Sequence, residues 1–155
     1  MHVELSKNAL VIHNIMLQAF IEYDQAGLPS SALKETIESI QEGLDNDEQA
    51  FVGYDGNGKP VAMVRFKVNK NYLYFYRLSV LPECQGNGYA KQLLKALEMY
   101  ANQNAIPEVH CKVRKNVERN VLLYTNLGYV IYEEEAVKLI SGDVIAVASM
   151  KKRVS

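Results

Sequence analysis

The amino-acid sequence predicts an α/β domain of the α+β kind, in which helices cover a mixed sheet. Four segments carry apolar residues at three- and four-residue spacing, the period of a helix with one buried face. Six others alternate or run apolar as strands do. Their order is α, α, β, β, β, α, β, α, β, β, with no repeat or low-complexity linker between them. A length of 155 residues, 48% hydrophobic and 23% charged, suits a single domain over residues 1–155 with a continuous core.

The first helix is expected from Asn8 to Tyr23, on the spacing of Leu10, Val11, Ile12, Ile15, Met16, Ala19 and Phe20, with Gly27 and Pro29 ending it. Thr36 is placed to cap a second helix that carries Ile37, Ile40 and Leu44, closed by Asp45-Asn46-Asp47. Ala50–Tyr54 and Val61–Val68 flank the turn-forming Asp55-Gly56-Asn57-Gly58 and read as a hairpin. Asn69-Lys70-Asn71 leads into a third strand, Tyr72–Val80, where Tyr72, Tyr74 and Tyr76 share one face because strand side chains alternate. Ala90, Leu93, Leu94, Leu97 and Ala101 make the clearest helical stripe. Val109, Cys111 and Val113 alternate with His110, Lys112 and Arg114 as a strand. Asn116 is placed to cap a helix running to Leu127, which Gly128 ends. Strands at Tyr129–Glu133 and Val144–Met150 complete the run.

Lys and Arg total 17 against 18 Asp and Glu, a formal charge of −1. No long-range positive field is available to hold a nucleic acid or an anionic membrane. Lys151-Lys152-Arg153 reads as a solvated chain end. Cys84 and Cys111 have no CxxC spacing and no nearby Cys/His set, so neither a metal site nor a disulfide framework is expected. No apolar run approaches the roughly 18 residues that span a bilayer, and no basic-then-apolar leader opens the chain. The cytosol is the expected compartment.

The chemistry concentrates in Leu78-Ser79-Val80-Leu81-Pro82-Glu83-Cys84-Gln85-Gly86-Asn87-Gly88-Tyr89-Ala90, which passes from a strand through a glycine loop into a helix. Amides of a first helical turn lack intrahelical acceptors and carry the positive end of the helix dipole, so this context favours an anion. Gly86 and Gly88 permit close approach of a phosphate. No Lys-Ser/Thr follows, and the spacing is not GxGxxG, which removes support for triphosphate hydrolysis and hydride transfer.

Gln85-Gly86-Asn87-Gly88-Tyr89-Ala90, preceded by Leu78-Ser79-Val80-Leu81-Pro82, resembles the Q/R-x-x-G-x-G/A signature of the GNAT acyltransferase superfamily. Leu123-Tyr124-Thr125-Asn126-Leu127-Gly128-Tyr129 is similar to its second motif. The resemblance implies a mostly antiparallel sheet of six to seven strands flanked by about four helices. That sheet would be splayed between the strand ending at Val80 and the strand Val109–Val113 to admit acetyl-coenzyme A. It further implies that Leu78, Ser79 and Val80 pair with the pantetheine arm, and that the Leu78 amide faces the thioester oxygen. Gln85, Gly86, Asn87, Gly88, Tyr89 and Ala90 would take the pyrophosphate. Tyr124 would protonate the leaving thiolate, a task suited to a phenol of pKa about 10.

Where relatives carry an asparagine seven residues before this tyrosine the chain has Val117; Asn116 and Asn120 stand nearby as alternatives for the cofactor contact. The usual general-base positions hold Tyr74 and Tyr76, which leaves water relay, His110, Glu108, Glu22 or an already neutral amine. Tyr23, Tyr72, Tyr74, Tyr76, His110 and the Pro29-Ser30-Ser31 loop are the candidate acceptor contacts, and the aromatic faces could hold a cation. The expected activity is transfer of an acetyl group to a primary amine, preferably of a small molecule, without a metal. A protein N-terminus or lysine as acceptor, and a non-catalytic acetyl-coenzyme A sensor on the same fold, are the alternatives. The apolar strand Val144–Met150 suggests pairing into a homodimer.

Overall fold

The computed structural model describes residues 1–25, 31–139 and 141–155, with the backbone alone for residues 22–25. Strand β1 (His2–Leu5) precedes helix α1 (Ala9–Gln25), a 3-10 turn at Ser31–Lys34 and helix α2 (Ile37–Asp45). Strands β2 (Gln49–Tyr54), β3 (Pro60–Val68) and β4 (Tyr72–Val80) follow as a meander. A 3-10 turn at Pro82–Cys84 then leads to α3 (Tyr89–Gln103), β5 (Glu108–Arg114), α4 (Glu118–Asn126), β6 (Val130–Lys138) and β7 (Val144–Arg153). The seven strands form one sheet in the order β1-β2-β3-β4-β5-β7-β6. Every neighbouring pair is antiparallel except β4 and β5.

Local chemistry accounts for much of this. Thr36 caps α2 through a reciprocal box: its hydroxyl accepts from the Ser39 amide and the Ser39 hydroxyl accepts from the Thr36 amide, which satisfies two donors with no helical partner. Asp55 accepts from the amides of Asn57 and Lys59, closing the β2–β3 turn. These two bonds hold its carboxyl below the usual carboxylate range. The core joins Ile12, Ile15 and Met16 of α1 and Leu93, Leu94 and Leu97 of α3 to Met63, Phe66, Leu73 and Phe75 of the sheet, all 2% exposed or less. Burying each such side chain contributes roughly 1.5–3 kcal/mol.

Several expectations are corrected. β1 was not expected: its four residues are mostly exposed, and its strand state comes from pairing with β2. α4 begins at Glu118 with Val117 in the capping position and no side-chain cap, so Asn116 is not its cap. β7 runs through Arg153, so Lys151-Lys152-Arg153 is no solvated tail. Lys152 reaches back to Glu98 at 2.8 Å and Lys151 lies 5.0 Å over the Tyr132 ring. The strand expected to offer a pairing edge, Val144–Met150, lies inside the sheet, paired with β6 and, from Val147 on, with β5 as well. The edges are β1 and β6. The expected helix stop at Gly27 and Pro29 lies outside the described residues; the described helix continues two residues beyond Tyr23.

Candidate active site

The site begins with an irregularity in β4. Register runs Arg65 to Tyr76 and Met63 to Ser79, so Arg77 and Leu78 stand opposite the single residue Val64 as a bulge. Arg77 has φ +56°, a left-handed conformation that costs a side-chain-bearing residue on the order of 1–3 kcal/mol and persists only where neighbours hold it. Three bonds do so: Ser79 Oγ donates to the Arg77 carbonyl at 2.9 Å, Arg77 Nε donates to Glu35 at 2.9 Å, and its second guanidinium nitrogen donates to Ser31 Oγ at 3.0 Å.

On its other side β4 pairs with β5 only over Tyr72–Tyr74 against Glu108–His110. Beyond these residues the parallel strands part, which leaves the β4 edge beyond Tyr74 without a strand partner on that side. Two cavities of about 740 and 320 Å³ adjoin the gap and share Leu78, Asn120 and Tyr124 in their walls.

The smaller cavity is built by the glycine loop and the start of α3, with Val80, Gln85, Gly86, Gly88, Tyr89, Ala90, Lys91 and Arg119 in its wall. Gly86 and Gly88 have φ +84° and +76°, and a Cβ added at either would meet no protein atom within 4 Å. α3 starts at Gly88 with no side-chain cap, so its first-turn amides face an opening flanked by Lys91 and Arg119. Arg119 donates to Gln85 at 3.3 Å. This donor set fits the phosphates of a coenzyme A: uncapped amides, a helix dipole and two cations around space a side chain would fill.

The larger cavity is lined by Phe20, Glu35, Glu48, Lys67, Tyr74, Tyr76, Arg77, Leu78, Lys112, Val113, Arg114, Val117, Asn120 and Tyr124. Behind it Arg65, 4% exposed, grips Glu48 through two nitrogens at 2.9 and 3.0 Å and Glu35 at 2.8 Å. Burial alone would depress its guanidinium, but the bonds to Glu48 and Glu35 outweigh that and raise it. Tyr76 donates its hydroxyl to Glu48; burial and that carboxylate push its pKa well up. Burial also raises Tyr74. Both phenols therefore stay neutral at neutral pH, the form in which a phenol is a poor base. Replacing Glu48 by Gln should destabilise the fold by about 3–5 kcal/mol, because it removes one partner of a buried ion pair. Chemical denaturation would measure this, and an unchanged midpoint would show that Arg65 needs only Glu35.

The structure brings Leu78, Val80, Gln85, Gly86, Gly88, Tyr89, Ala90, Asn120 and Tyr124 together around the gap, with Tyr74 and Tyr76 on the large cavity. Others lie elsewhere. Ser79 is buried and spends its hydroxyl on the bulge, Asn87 turns its amide to the Cys84 carbonyl, and Asn116 is an exposed turn residue; none lines either cavity. His110 is stacked on Tyr72 at 4.1 Å, bonded to Glu108 at 3.0 Å and 3.4 Å from the Tyr132 hydroxyl, and it too lines neither cavity. The His110 bond lowers the Glu108 carboxyl. Pro29, Ser30 and the side chains of Glu22 and Tyr23 lie outside the described residues. Glu35, Glu48, Arg65, Arg77 and Arg119 were not anticipated. A charge inside the apolar run Val61–Val68 was the one available signal, since a buried arginine requires acidic partners.

Among the described residues no cluster of three His, Cys, Asp or Glu is set to hold a metal, and no helix is long and apolar enough to cross a membrane. The chain is 30% identical over 121 residues to the UPF0157 protein YqkA of Bacillus subtilis, an alignment covering 78% of this chain and 32% of that protein, so it spans about a third of that relative's length. Solved structures with a similar fold include the ribosomal-protein-S18-alanine N-acetyltransferase of Escherichia coli, at TM-score 0.79 and 16% identity over 99% of this chain and 95% of that one. The spermidine N-acetyltransferase of Vibrio cholerae, in complex with CoA and spermine, superposes at TM-score 0.76 with 21% identity, over 97% and 95% of the two chains. At these identities the structural likeness is one of fold. Residues 12–129 match the acetyltransferase (GNAT) family, and with the splayed β4–β5 pair and the glycine loop at α3 the chain belongs to that family.

Proposed function

We propose that this protein is an acetyl-coenzyme A-dependent N-acetyltransferase that acts on a primary amine of a small molecule by direct attack in a ternary complex. The observation that supports it is the parting of β4 and β5 after Tyr74 and His110, with a phosphate-type cavity and a larger cavity meeting at Leu78, Asn120 and Tyr124. Acetyl-coenzyme A supplies the acyl group as a thioester. Gln85, Gly86, Gly88, Tyr89, Ala90, Lys91 and Arg119 bind its phosphates, and the unpaired β4 edge at Leu78 and Val80 pairs with its amides as another strand would. The Leu78 amide stabilises charge on the carbonyl oxygen under attack. Tyr124, at the junction of both cavities, donates its hydroxyl proton to the departing thiolate. His110, outside both cavities, has no direct part.

Free thiol measured during incubation with acetyl-coenzyme A and a panel of amines tests this reading. Amine-dependent thiol release with acetylated product is expected. Tight binding of acetyl-coenzyme A with no release for any amine would make the protein a sensor on the same fold.

A further inference from the structure

The large cavity holds more positive than negative charge, and its acidic groups are already engaged. Among the described residues four basic side chains line it, Lys67, Arg77, Lys112 and Arg114, against two acidic ones, Glu35 and Glu48. Glu48, with its side chain 4% exposed, accepts from Arg65 through both oxygens and from Tyr76. Glu35 accepts from Arg65 and from Arg77. Two of the aromatic side chains on its wall are engaged in the same way: the Tyr76 ring carries the Arg65 guanidinium at 5.3 Å and the Phe20 ring carries that of Arg77 at 5.8 Å, so the protein's own cations occupy a face of each.

Lys67 and Lys112 flank Tyr74. Register sets Lys67 directly opposite Tyr74 on β3, and sets His110 opposite it on β5, with Lys112 two residues further along the same face. Their counter-ions are Asp47 at 3.8 Å and Glu135 at 3.5 Å, in pairs about half exposed or more on both sides. Such pairs are screened and worth little, so they yield readily to a ligand anion. The phosphate cations Lys91 and Arg119 belong to the other cavity, which leaves Lys67 and Lys112 without a role toward the loop.

Resting on the acetyltransferase reading, we infer that the acceptor is an amine that also carries an anionic oxygen group, a carboxylate or a phosphate, anchored by Lys67 and Lys112. Polyamines are poor acceptors for this site, because among the described residues both lining carboxylates, Glu35 and Glu48, are already bonded to arginines. The anion fixes the ligand at the lysine-lined wall, and its amine extends toward Leu78 and Tyr124.

Matched probes test this: L-lysine against cadaverine, L-ornithine against putrescine, and phosphoethanolamine against ethylamine. Each would be titrated calorimetrically into the coenzyme A-saturated protein and assayed for thiol release with acetyl-coenzyme A. The anionic member of at least one pair should bind, and react, at least tenfold better, and the Lys67→Glu/Lys112→Glu double variant should erase that preference. The carboxylate and phosphate arms tell the two anions apart. Equal or better performance of cadaverine, putrescine and ethylamine would overturn the inference while leaving the acetyltransferase reading intact, and failure of every anionic probe to bind would also overturn it. Binding of an anionic amine without thiol release would uphold the anion site and remove the acetyltransferase reading.

Discussion

Gly88→Val should weaken acetyl-coenzyme A binding by about a hundredfold while the protein stays folded. Gly88 sits at φ +76°, where a β-branched residue is strained by on the order of 1–3 kcal/mol, and it is the residue from which α3 starts. Apart from its chain neighbours, no atom lies within 4 Å of an added Cβ, so the side chain points into open space and not into the core under α3. The loss falls on the ligand. Relief of the strain turns the first-turn amides away, and the valine side chain fills the space the phosphates need. Calorimetric titration of both proteins checks this, and an unchanged affinity in a folded variant would refute the phosphate-loop assignment.

Tyr124→Phe should lower kcat on the order of a hundredfold with little change in stability or in affinity for acetyl-coenzyme A. Tyr124 is 5% exposed, and its ring packs at 5.7 Å against Phe75 and at 6.0 Å against Tyr129, contacts that phenylalanine reproduces. Only the hydroxyl is removed, from a residue that lines both cavities. A proton donor that acts in the transition state contributes to kcat rather than to cofactor affinity. The measurement is single-turnover kinetics with a confirmed acceptor, under conditions where chemistry limits the rate. Full kcat in the variant would make Tyr124 a packing residue and send the proton by another route.

The two cysteines carry no comparable expectation. Cys111 lies in the core, where burial pushes its thiol up to about 12 and keeps it unreactive at neutral pH.

The amino-acid sequence by itself determined the features whose causes are local. The α3 stripe, the cap at Thr36, the β2–β3 turn at Asp55 and the glycine loop before α3 each depend on residues within a few positions of one another, and such short-range patterns survive being read in one dimension. The motif around Tyr124 could be read in the same way, but that this residue lines both cavities is a product of the fold.

The tertiary structure alone decided the rest. The bulge at Arg77 is defined by register against β3, which no property of the β4 sequence reports. The four-residue β1 exists through its pairing with β2, and β7 became internal because β6 folded outside it. Most consequential is the charged network. Glu35, Glu48, Arg65 and Arg77 come from four separate segments, and their meeting turns two carboxylates and two ring faces inward. A charge count over the chain gives −1, yet among the described residues the cavity wall carries more basic than acidic side chains, because folding in three dimensions determines which charges meet at a site.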